Sequence, residues 1–116
     1  MAPVWWIPLA VEAARTLIEL LRLGLKEKKK ANKLEALVRA WEEAGRYKDL
    51  LLRLYEDGEV TEDRRAKARE LRNMLDQLQQ MLGEIRRKIR DDEDAARERD
   101  AAEELARRIL DALVLF

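Results

Sequence analysis

From Leu9 to Leu25 the chain reads LAVEAARTLIELLRLGL. At about 100° per residue, Glu12, Arg15, Thr16, Glu19, Arg22 and the following Lys26 fall in one stripe roughly 120° wide. The rest of that circumference is apolar apart from Gly24, so the pattern predicts a helix enclosed on about two-thirds of its surface by protein, by copies of itself or by lipid. Met1 to Pro8 reads as an extended lead. Pro3 and Pro8 bias the residues before them away from helix, and Pro8 itself suits a first helical turn.

After Leu25 comes the basic run KEKKKANK. Asn32 with Glu35 three residues on predicts an N-cap and capping box, hence a second helix from that point. That helix carries Leu34, Leu37, Val38, Trp41, Ala44, Leu51, Leu52 and Tyr55 on one side, with Tyr47, Leu50 and Leu54 widening the face, so it should meet more than one neighbour. Asp57-Gly58 supplies a stop and Thr61 an N-cap, with Glu62 and Asp63 in the first turn where the helix dipole favours acids. An antiparallel hairpin follows. The third helix holds Ala68, Leu71, Leu75, Leu78, Leu82, Ile85 and Ile89 at alternating spacings of three and four, a heptad packing seam that Met74 and Met81 broaden. Continuing that register would bury Asp92 and Arg99, so the seam should end in a break or bend at Asp91-Asp92-Glu93-Asp94, a natural start for another helix. The last segment places Ala102, Leu105, Ala106, Ile109, Leu110, Leu113 and Val114 on one face. Its apolar end should dock on the first helix or on a second subunit.

The predicted fold class is all-α: an antiparallel helical hairpin or four-helix bundle with a coiled-coil seam. Residues 1–30 form an apolar N-terminal helix with a basic tail, residues 31–116 the hairpin and C-terminal helix, and the whole one compact domain. A chain of 116 residues can bury a core if its helices fold back on one another. The 24 basic and 24 acidic residues cancel overall but alternate in blocks: net +4 over 26–33, −3 over 34–60, +4 over 61–90 and −5 over 91–116. Such alternation favours antiparallel neighbours or staggered self-association. Neither cysteine nor histidine occurs. Disulfides, thiolate metal sites, Ser-His and Cys-His pairs and the usual neutral-pH base are thereby excluded.

Trp-Trp-Ile-Pro ahead of the apolar helix and lysines behind it resemble the flanks of a membrane helix. Residues 4–25 as a helix reach roughly 33 Å against about 30 Å of hydrocarbon. Ten Leu, Ile and Val residues return about 3 to 6 kcal/mol, whereas Glu12, Arg15, Glu19 and Arg22 cost on the order of 10 kcal/mol if central and unpaired. A lone span is therefore disfavoured, and a membrane surface or partner would be met by Trp5, Trp6, Ile7, Leu17, Ile18 and Leu21. The lysine run lacks interleaved aromatic residues, so nucleic-acid binding is not expected. Four consecutive acids lack the alternating ligands and central glycine of a calcium loop, and read as a solvated cap. Trp41, Met74 and Met81 at helical spacing read as core, and Gln77, Gln79 and Gln80 as solvent-facing or as register-setting across a subunit contact. No catalytic residue, metal ligand, cofactor or small-molecule substrate is expected.

Leu50 to Asp63, LLLRLYEDGEVTED, followed by Lys67, Glu70 and Leu71, resembles the helical hairpin of the short C-terminal domain (SHOCT) family over about a fifth of the chain. Arg64 and Arg65 stand where that pattern carries an aromatic residue after its acidic pair. The resemblance implies an oligomerisation or localisation role without catalysis. The expectation is a non-catalytic structural or assembly protein that forms a homo-oligomer, with a membrane-associated adaptor as the alternative, in the cytoplasm or peripheral to a membrane.

Overall fold

A computed structural model describes residues 12, 15–20, 22, 26–56 and 61–114, without the side chains of 54–56, 113 and 114. The protein is an all-α helical bundle. Three helices are delimited in full: α1 (Lys30–Glu56), α2 (Glu62–Arg90) and α3 (Ala96–Val114). Residues 15–20 are also helical. The Cα extents of 49 × 19 × 19 Å match helices about 40 Å long lying side by side in a cross-section two helices wide.

The α2 helix is central: α1 packs on one side of it and α3 on another, while among the described residues α1 and α3 do not meet. Its N-terminus is capped by Thr61, which has extended backbone geometry and a side chain that accepts from the Arg64 N–H at 3.4 Å. Ala68, Leu71, Leu75, Leu78, Leu82 and Ile85 are all buried, and Ile89 packs half-buried beside them. They meet Leu37, Ala40, Ala44, Tyr47 and Leu51 of α1, Ala102, Leu105, Ala106 and Ile109 of α3, and Leu17 and Ile18 in one continuous core. The stripe of α2 is thus covered within its own chain.

Lys30 at the start of α1 reaches the Arg90 carbonyl at 2.7 Å and Asp92 at 3.1 Å, which fixes α1 and α2 as antiparallel. Lys88 and Glu98 pair across the next junction and make α3 antiparallel to α2.

The α2–α3 break falls within the acidic cluster. Asp91 caps α2, the Asp92 N–H donates to the Ile89 carbonyl at 3.1 Å, and the Glu93 N–H donates to the Lys88 carbonyl at 2.7 Å. With Asp92 at φ 58°, this is a Schellman ending, built on an aspartate where glycine is the usual occupant. Asp94 then accepts from the Ala96 N–H at 3.0 Å and opens α3. The buried Ala95 tucks the turn against the core.

The start of α1 differs from the sequence expectation. The helix begins at Lys30, the Lys33 N–H donates to the Lys29 carbonyl at 3.1 Å, and Asn32 lies inside the first turn. Its amide donates to Glu27 at 3.3 Å and does not cap. Residues 27–29 separate α1 from the preceding helical position 26. Gly24, the Asp57-Gly58 stop, Leu21, the Trp5-Trp6-Ile7 segment and the side chains of Leu113 to Phe116 lie outside the described residues.

Candidate interaction surface

Polar chemistry in this bundle is concentrated at two places, and in both the side chains satisfy one another. At the α2–α3 turn, Arg87 lies 2.7 Å from Glu84, 3.1 Å from Glu93 and 3.6 Å from Asp91. The hydrogen bond from Arg87 holds the Glu84 carboxyl below its ordinary range. Likewise the hydrogen bond from Lys88 depresses Glu98, and Glu98 raises the Lys88 ammonium in return. Asp92 faces Lys30 and Asp94 caps α3. The acidic cluster therefore organises the turn, with each of its four carboxylates engaged. Among the described residues no group of three or more potential metal ligands converges.

The second place spans α1 and α2. Lys48 pairs with Asp76 and donates to the Gln79 Oε1 at 2.9 Å, while the Gln79 Nε2 donates to the Trp41 backbone carbonyl at 3.0 Å. Gln79 packs close to Gly45, where an added Cβ would lie 3.4 Å from its amide, in ordinary contact. Gln79 thus sets register inside the hairpin, not across a subunit contact, whereas Gln77 and Gln80 are exposed. Sequence reasoning missed Lys48 and Asp76, which are 28 positions apart and become neighbours only when the hairpin closes.

Next to this polar link lies a notch of about 250 Å³ on the outer side of the hairpin. Its α1 wall is Leu37, Val38, Trp41 and Glu42, and its α2 wall Leu82, Gly83 and Arg86. Trp41 is 49 % exposed, the large hydrophobic side chain left in solvent among the described residues. This corrects its reading as core. The apolar face of α1 is met by α2 on one edge, while Glu12 and Thr16 line a cleft with Glu43 and Arg46 on another. Ala40 and Ala44 are fully buried on α1, whereas Trp41 lies at the margin of the buried face. Met74 and Met81 pack half-buried against the core.

Of the residues expected to meet a membrane or partner, Leu17 and Ile18 are 1 % and 9 % exposed and belong to the chain's own core. Among the described residues no helix is long and apolar enough to cross a membrane. Comparison of the chain with known proteins found no matching family model, no matching curated protein and no matching solved structure.

Proposed function

We propose that this chain is a non-catalytic helical module of an assembly, one that associates with copies of itself. The carrying observation is Trp41, half in water over an apolar floor on a molecule whose other large apolar side chains, among those described, are at least partly covered. A tryptophan at the edge of an apolar notch is the kind of side chain that anchors protein contacts, because it combines large area with little rotamer entropy. The alternating charge blocks along the chain support staggered or antiparallel neighbours. The resemblance of residues 50–71 to the SHOCT hairpin supports the same role.

The alternating three-four spacing supports coiled-coil-type packing for α2. Because that stripe is buried within the chain, contact between copies falls to the outer face of the hairpin. A peripheral membrane association through Trp5 and Trp6, with the lysines of residues 26–30 near anionic headgroups, is the second reading, and it rests on the sequence pattern alone.

Sedimentation or light scattering of the purified 13.6 kDa chain across a concentration range tests the main reading. A mass rising above that of one chain supports it, and a constant single-chain mass at millimolar protein overturns it. Flotation with anionic liposomes, repeated with a Trp5/Trp6→Ala variant, tests the second.

A further inference from the structure

We infer that the Trp41 notch is half of a two-fold, self-complementary contact whose occupant is a second copy of this chain. The inference rests on the self-association reading above and specifies its surface. A two-fold axis presents the same patch twice, so a residue on the α1 wall of one copy meets a residue on the α2 wall of the other, and the reverse. The notch has the composition this requires. Glu42 stands on one wall and Arg86 on the other. Across the axis, Glu42 faces the partner's Arg86 and Arg86 the partner's Glu42.

Within the chain neither residue has an ion pair or hydrogen-bond partner among the described residues. Their immediate neighbours do. Arg39 pairs with Glu35, Arg46 with Glu43 and Arg87 with Glu84, so two opposite charges are left over at the notch itself.

Gly83 provides the steric counterpart. Glycine inside a helix carries an entropic penalty relative to alanine. A Cβ at Gly45 would touch the Gln79 amide at 3.4 Å, but among the described residues a Cβ at Gly83 would meet nothing within 4 Å, and its φ is not positive. Neither the backbone nor the packing of one chain requires glycine there. A second copy would use that space: with Trp41 of one molecule laid over Gly83 of the other, the missing side chain becomes the hollow that receives an indole. Trp41 is prepared for this role, because Gln79 holds its carbonyl at 3.0 Å and steadies the turn that presents the ring.

The test exploits the charge pattern. Glu42→Arg places like charges opposite Arg86, and Arg86→Glu places them opposite Glu42, so each variant alone should dissociate at least tenfold more readily than wild type. An equimolar mixture of the two should recover, since the hetero-pair sets the introduced arginine against the introduced glutamate on one side and the native Arg86 against the native Glu42 on the other. Trp41→Ala removes the anchor, and Gly83→Gln fills the hollow with a better helix former. Both should favour the single chain while circular dichroism shows an intact fold.

If wild type associates but none of these four variants alters its mass and mixing restores nothing, this contact is wrong while self-association stands. If wild type is a single chain at every concentration, both ideas fall. If the single chain floats with anionic vesicles and Trp41→Ala abolishes this, the face belongs to lipid and the inference is overturned.

Discussion

Tyr47 offers the sharpest test of the core, because its ring is fully buried while its hydroxyl has no hydrogen-bond partner among the described residues. A buried, unsatisfied hydroxyl costs about 1–3 kcal/mol of desolvation that the folded state does not recover. Tyr47→Phe keeps the ring, removes the hydroxyl and should stabilise the fold by about 1 kcal/mol or more. With an unfolding entropy near 2.1 cal/mol/K per residue over 116 residues, each 1 kcal/mol raises Tm by roughly 4 °C.

The same burial raises the phenol pKa well above its ordinary value near 10. The folded state therefore keeps a proton that the unfolded state releases. The Tyr47 contribution is fully present below pH 10 and declines as pH rises above it, with a slope of up to about 1.4 kcal/mol per pH unit. Urea titrations of wild type and Tyr47→Phe at neutral pH and above pH 10 measure both effects. The variant should be more stable throughout, and its margin should widen in alkali. A variant less stable than wild type by about 1 kcal/mol, or an unchanged margin above pH 10, would show that the hydroxyl is satisfied or exposed, and the packing around it would have to be revised.

Other consequences can be checked in the same way. Leu78→Ala at the fully buried centre of α2 should cost about 2–5 kcal/mol by thermal or urea unfolding. Thr61→Ala removes the cap on the Arg64 N–H and should cost about 1 kcal/mol. Asp92→Gly relieves a left-handed backbone position at φ 58° and should stabilise by about 1 kcal/mol, since the exposed Lys30 pair it loses is worth little. Glu98 sits below its ordinary pKa because of Lys88, so its stabilisation is present above the usual carboxylate range and fades as pH falls through the lowered value. Glu98→Gln should therefore flatten the acid limb of a Tm-against-pH curve, and an unchanged limb would remove that pair from the account.

The parts of the fold legible in the sequence are those governed by local chemistry. The regular spacing from Ala68 to Ile85 marks one stripe, and those residues are the ones buried. Thr61 ahead of two acids marks a cap, and four acids where the stripe would turn polar mark the break. What escaped depends on the neighbours. Asn32 looks like a cap by residue type, but α1 begins two residues earlier, where Lys30 finds Arg90 and Asp92 across the hairpin. Trp41 lies on the apolar stripe of α1 yet remains half exposed, while Leu37, Ala40, Ala44, Tyr47 and Leu51 of the same helix are buried, a division that a hydrophobicity pattern does not make. Gly45 and Gly83 look alike in sequence. The structure separates them: a Cβ at Gly45 would touch the Gln79 amide, whereas at Gly83 it would meet nothing within 4 Å among the described residues.

The central claim is that the apolar helix faces close within one molecule, leaving the outer side of the hairpin for contact with others. As the chain has no cysteine, spin labels can be placed at the exposed positions Ala31→Cys and Arg90→Cys and diluted into unlabelled protein, so that only distances within one chain are read. The account predicts a distance on the order of 20 Å, one interhelical spacing plus the label arms. An uninterrupted helix would hold the labels about 90 Å apart, and that result, or loss of the short distance on dilution, would contradict it.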